Sequence, residues 1–87
     1  MTASINAADV TVYWRPGCPF CMALRASLKT ARIDATWINI WEDEEAADVV
    51  RAANNGNETV PTVVVGDQTM TNPSLGQVKK ALAASAG

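Results

Sequence analysis

Residues 14–28 read WRPGCPFCMALRASL and hold both cysteines of the chain, Cys18 and Cys21. Upstream, Val10-Thr11-Val12-Tyr13-Trp14 alternates and is rich in β formers, so it reads as a strand. Pro16-Gly17 stops it. From Pro19 onward, Cys21, Leu24, Leu28 and Ala31 recur at helical spacing, which predicts a helix with one apolar stripe through about residue 32. Proline is favoured at the first helical position, so Cys18 falls at the N-cap. A strand, a tight break and a helix thus meet at the two thiols.

The rest of the chain extends the pattern. Ala35 to Ile40 is a second strand, with Trp37 and Asn39 on one face and Thr36, Ile38 and Ile40 on the other. Asp43, Glu44 and Glu45 open a second helix, where carboxylates favour the positive end of the dipole. Ala46, Val49, Val50 and Ala53 are its expected buried stripe, and Asn54-Asn55-Gly56 ends it. Thr62 to Val65 is an apolar run suited to a strand covered on both faces. Gly66-Asp67 turns the chain into a short strand around Gln68 to Met70. A last helix starts at Asn72-Pro73-Ser74, either with Asn72 as cap and Pro73 first, or with Ser74 capping and Gln77 behind it.

The order is β-α-β-α-β-β-α. A right-handed crossover makes the first two strands parallel, and the closing β-turn-β makes an antiparallel pair. The expectation is one α/β domain over residues 1–87, a mixed sheet with helices on both faces.

Composition narrows the function. The 87 residues are 48% hydrophobic, which is globular usage, and the net charge is −2. With no Lys/Arg cluster, nucleic-acid binding is not expected. No apolar run is long enough for a membrane helix, and MTASINAADV lacks the basic and apolar regions of a signal peptide. The expected compartment is the cytoplasm, where paired cysteines are seldom structural.

Three uses of the cysteine pair compete. A structural zinc site needs four ligands, usually Cys and His, and the chain has no histidine and no third cysteine. A disulfide staple closing a loop of about four residues is worth roughly 2 kcal/mol, against about 4.7 for about a hundred residues, and constrains little that a helix does not. The redox reading accounts for the difference between the two thiols. At the N-cap, unpaired N–H groups and the dipole stabilise a thiolate. Cys18 is therefore the expected exposed nucleophile, and Cys21, on the stripe with Leu24 and Leu28, the core-facing resolving thiol. Arg15 either supports that thiolate, binds a substrate carboxylate or is a solvated surface charge.

A second feature agrees. Thr59-Val60-Pro61 precedes the buried strand, where proline lacks the N–H a central strand needs. A cis Val60–Pro61 bond would present the Val60 backbone as an open edge for a disulfide, although an ordinary trans proline in a loop fits the residues as well.

Cys18-Pro19-Phe20-Cys21 after a strand, Thr59-Val60-Pro61 further on and the element order resemble a glutaredoxin of the thioredoxin-like superfamily, over nearly the whole chain. The resemblance implies a cis Pro61 and a four-stranded mixed sheet in the order 2-1-3-4. Where glutaredoxins usually carry a Gly-Gly pair and an acidic residue that hold glutathione, this chain has Thr71-Asn72-Pro73-Ser74. With Asn55-Gly56-Asn57, that departure resembles the actinobacterial mycoredoxins. It implies reduction of protein mixed disulfides with mycothiol rather than glutathione as co-substrate, no tightly bound cofactor, a flavoprotein disulfide reductase upstream and a monomer. Carried over residue by residue, Cys18 attacks and Cys21 is dispensable for that reaction. Val60, Pro61, Thr71 and Asn72 line the cleft, with Arg15, Pro19, Phe20 and Thr59 also on the substrate side.

The alternative is a dithiol electron donor of the ribonucleotide-reductase redoxin type, but its usual Trp-Ser-Gly-Phe-Arg-Pro motif has no match near residues 70–76. A non-enzymatic module on the same fold would be expected to lose a cysteine. Of the three tryptophans, Trp37 is expected in the core, and Trp14 and Trp41 are expected to pack rather than touch substrate. Met22 is expected on the helix surface or as a gap filler.

Overall fold

A computed structural model describes residues 10–86. Strand β1 (Val10–Trp14) leads into helix α1 (Pro19–Thr30), and β2 (Thr36–Asn39) into α2 (Glu44–Ala53). The hairpin β3 (Thr62–Val65) and β4 (Gln68–Thr71) precedes α3 (Leu75–Ala86). The sheet runs β2-β1-β3-β4, with β1 and β2 parallel and the other pairs antiparallel. The expected order and mixed character hold.

Side-chain alternation assigns the sheet's two faces to two apolar clusters. Val10 and Val12 of β1 and Val63 and Val65 of β3 meet Leu24 and Leu28 of α1 and Val78, Ala81 and Leu82 of α3. On the opposite face Ile38 and Ile40 meet Ala46, Ala47 and Val50 of α2. Both cysteines belong to this second cluster, with Val60, Tyr13 and Trp14.

The sequence expectations need several corrections. Helix α1 stops at Thr30, because Ala31 caps it and Arg32 takes a left-handed φ of 59°. The buried side of α2 is Ala46, Ala47 and Val50, whereas Val49 and Ala53 are exposed. Short side chains at 46 and 47 let this helix lie close to the sheet, which turns Val49 and Ala53 outward, where they border a shallow groove with Thr69 and Thr71. Trp37 is half-buried at the edge of the core, with the Arg25 guanidinium over its ring at 5.1 Å. β2 is an edge strand, so one flank of that ring is open to solvent.

The helix starts follow local chemistry. Asp43 Oδ1 accepts from the Ala46 N–H at 3.1 Å. At α3 the second of the two expected caps forms. The Gln77 N–H donates to Ser74 Oγ at 3.2 Å and the Ser74 N–H to Gln77 Oε1 at 2.7 Å, a reciprocal capping box.

Candidate active site

The parallel β1–β2 pair needs a crossover, and β3 enters on the other side of β1. The chain therefore leaves the C-terminal end of β1 at a topological switch point, where α/β sheets open a crevice. Because β3 is antiparallel, with Thr62 opposite Tyr13, its first residues arrive at that same end. Cys18 from one segment and Val60 from another are brought together this way.

Cys18 occupies the N-cap of α1 in an extended conformation, with Pro19 at the first turn. The Cys21 N–H donates to Cys18 Sγ at 3.2 Å. The Cys18 thiol donates to the backbone oxygen of Val60, with Sγ and O 3.7 Å apart. The Val60–Pro61 peptide is cis. Both cysteines are free thiols. The expectation of an exposed Cys18 fails, since 4% of it reaches solvent against 1% for Cys21. Val60, carried in on the neighbouring strand, covers the cap. That neighbour is 42 residues away in sequence, so helical spacing alone gave no sign of it.

The two thiols differ in environment. Burial pushes the Cys21 thiol up to about 12, helped by its hydrogen bond with Cys18 and opposed by the Arg15 backbone and charge. Cys21 is thus held as a neutral thiol at physiological pH.

Around the cap the surface is apolar and open. Phe20 and Trp41 are each 62% exposed, and Met22 is exposed, the first of its two expected places. Trp14 packs as expected, but Trp41, just past the end of β2, is largely exposed, with the Arg15 guanidinium over its ring at 5.8 Å. Arg15 is therefore engaged with an aromatic face rather than simply solvated.

The remaining candidates divide between two adjoining segments. Thr59, Val60 and Pro61 lead into β3 and Thr71 and Asn72 close β4, tied together by the Asn72 N–H donating to the Pro61 oxygen at 2.7 Å. Asn72 has φ of 48°, a left-handed backbone that asparagine tolerates and glycine adopts freely. The Thr71 hydroxyl donates to Asn54 Oδ1 at 2.7 Å and so is turned toward α2. Beyond Asn72, a groove of about 280 Å³ runs between the α1 surface and the start of α3, bordered by Phe20, Ala23, Ser27, Asn72, Pro73 and Leu75.

Sequence reading treated Asn54 only as a helix stop. Its side chain instead reaches β3 and β4, and the nearest signal was the lone threonine, Thr62, in an otherwise aliphatic buried strand.

Fold and site together define a thioredoxin-like domain with two free thiols, Cys18 at the cap of α1 and Cys21 in its first turn. The Glutaredoxin family model matches residues 10–70, and the chain belongs to that family. It is a thiol-disulfide oxidoreductase. Over 81 residues it is 40% identical to a Mycobacterium tuberculosis (strain H37Rv) protein that carries the name of a glutaredoxin, covering 92% of this chain and 96% of that one. It is 39% identical over 72 residues to Mycoredoxin 1 of Corynebacterium glutamicum, covering 82% and 89%. Among solved structures it resembles the glutaredoxin-like protein NrdH-redoxin from Escherichia coli, with TM-score 0.63, 31% identity, and 71% and 79% of the two chains covered.

Proposed function

We propose that this chain reduces mixed disulfides between proteins and a low-molecular-weight thiol, with Cys18 as the only sulfur that must react. The Cys18 thiolate attacks the small-thiol sulfur of protein–S–S–R. The protein leaves as a thiolate, which takes up a proton, and Cys18–S–S–R forms. An incoming R–S⁻ attacks that R sulfur, giving R–S–S–R and returning the Cys18 thiolate, so one free small thiol is consumed and the disulfide bond passes from the protein sulfur to the two R sulfurs. The observation that carries this reading is the placement of the pair: Cys18 Sγ stands at the α1 cap, receiving the Cys21 N–H at 3.2 Å, while Cys21 points into the core with 1% exposure.

Mycothiol is the preferred co-substrate in this reading. The similarity to Mycoredoxin 1 supports it, as does the rim at Thr71 to Ser74. Asn72 places a side chain, and Pro73 removes an N–H, where a Gly-Gly pair would face the glutathione backbone. Thr71 is committed to Asn54 and Ser74 to Gln77, so of these three polar side chains the Asn72 carboxamide is the one left for a sugar hydroxyl. The chain acts as a single domain and a monomer in the cytoplasm, recharged by a flavoprotein disulfide reductase, with no nucleic-acid partner. No helix among the described residues is long and apolar enough to cross a membrane. Exposed Pro19, Phe20 and Trp41, with half-buried Arg15, offer the surface that meets the protein substrate.

The test is turnover of one peptide carrying either mycothiol or glutathione in a mixed disulfide, each with its matching thiol as resolving reagent. Faster reduction of the mycothiol adduct supports the reading, and equal rates or a glutathione preference overturn the choice of thiol. The dithiol electron donor is the second reading, favoured by the likeness to NrdH-redoxin. It predicts that loss of Cys21 abolishes turnover.

A further inference from the structure

Two adjoining segments, Thr59–Pro61 before β3 and Thr71–Asn72 at the end of β4, are tied to α2 by one carboxamide. Asn54 stands at the C-terminal cap of α2 and anchors its own orientation by donating Nδ2 to the Val50 oxygen at 2.8 Å. The same Nδ2 donates to Thr62 Oγ1 at 3.2 Å, at the start of β3. Its Oδ1 accepts from the Thr71 hydroxyl at 2.7 Å, at the end of β4. Thr62 is fully buried, and its hydroxyl passes the constraint on by donating to the Thr59 oxygen at 2.7 Å. The carbonyl before Val60 is thus held by Thr62, and the one after it, on Pro61, by the Asn72 N–H. Between these two fixed carbonyls lies the Val60 oxygen that faces Cys18 Sγ.

A buried hydroxyl that both donates and accepts is fully satisfied, and such a network specifies one arrangement of its members. Reaction at Cys18 requires the substrate sulfur to be presented in line by the neighbouring backbone, and small misplacements are costly there. We propose that Asn54 is a positioning residue for thiol-disulfide exchange: through Thr62 and Thr71 it fixes the adjoining Thr59–Pro61 and Thr71–Asn72 segments, and with them the Val60 backbone beside Cys18. It touches neither sulfur. This assignment rests on the reading of Cys18 as the reacting thiol and leaves open which small thiol is used.

The experiment measures four quantities on the full chain, on its Asn54→Ala, Thr62→Val and Thr62→Ser variants and on the Asn54→Ala/Thr62→Val double variant. They are kcat/KM on a peptide mixed disulfide, kcat/KM on a peptide with an internal disulfide, the rate of Cys18 alkylation by iodoacetamide, and the melting temperature. Val60 covers Cys18, so loosening the Val60 backbone should raise the alkylation rate in Asn54→Ala and Thr62→Val and leave it at the wild-type value in Thr62→Ser. Asn54→Ala and Thr62→Val should lose about tenfold in kcat/KM on whichever disulfide the wild type uses, and the double variant should lose no more than either alone. Thr62→Val keeps the shape of the buried side chain and loses only its hydroxyl. Thr62→Ser loses a buried methyl group but keeps the hydroxyl, so it should melt earlier and yet retain turnover. Turnover that follows melting temperature across the set, additive losses, or wild-type kcat/KM in Thr62→Val would each overturn the assignment. Failure of the wild type itself on the mixed disulfide would instead overturn the proposed function, and the internal-disulfide ratio would still test Asn54.

Discussion

The Sγ of Cys18 lies 3.7 Å from the backbone oxygen of Val60, a residue 42 positions further along the chain. That pairing covers the thiol and at the same time orients it, because an S–H aimed at a carbonyl has a defined direction. In the proposed exchange, a disulfide substrate replaces this contact and meets the sulfur between the helix cap and the Val60 backbone.

The asymmetry of the two thiols makes their variants unequal. Cys18→Ser is expected to abolish turnover of both mixed and internal disulfides, since no other nucleophile stands at the cap. Cys21→Ser is expected to keep reduction of a small-thiol mixed disulfide, because a second small thiol resolves Cys18. Steady-state turnover on both substrates checks this, and equal loss in the two variants favours the dithiol reading.

Burial of Cys21 also predicts a pH dependence of stability. Its folded pKa, about 12, lies above the ordinary value of 9.0. The stability it carries is fully present below about pH 9 and is lost as pH rises through about 12. In a Cys18→Ser background, which leaves burial as the main cause, urea midpoints should fall between about pH 8 and about pH 11. Adding Cys21→Ala should remove that part of the slope. A slope unchanged by Cys21→Ala would contradict the burial argument.

Stability and chemistry should separate at Asp43. Its carboxylate caps α2 by accepting the Ala46 N–H, so Asp43→Ala is expected to cost about 1 kcal/mol in chemical denaturation. Turnover at 25 °C should not change, because Asp43 is remote from both sulfurs in the hydrogen-bond network. By contrast Leu28→Ala, at a side chain buried between α1 and the sheet, is expected to cost about 2–5 kcal/mol. In a domain this small that loss should be visible as a large fall in melting temperature.

The rim at Asn72 should carry a modest share of the thiol preference. One hydrogen bond is worth about 1 kcal/mol, so Asn72→Gly is expected to reduce the ratio of mycothiol to glutathione turnover by about fivefold. Glycine adopts the left-handed φ of this position without strain, so folding should be preserved. The ratio of kcat/KM on the two adducts of one peptide measures it, and an unchanged ratio would move the preference elsewhere in the cleft.

Local chemistry in the sequence determined the element order, the N-cap at Cys18, the proline-broken start of β3 and the side of α1 that faces the core. Each rests on spacing or on a residue's own backbone preference, which act over a few positions. Tertiary structure alone decided the exposure of Cys18, the buried side of α2, the solvent-facing Trp41 and the linking role of Asn54. Cys18 is covered by Val60, and Asn54 joins Thr62 to Thr71, partners that arrive from other elements of the sheet. Periodicity showed which side of a helix is apolar, but only the packed sheet determined which strand would lie against it.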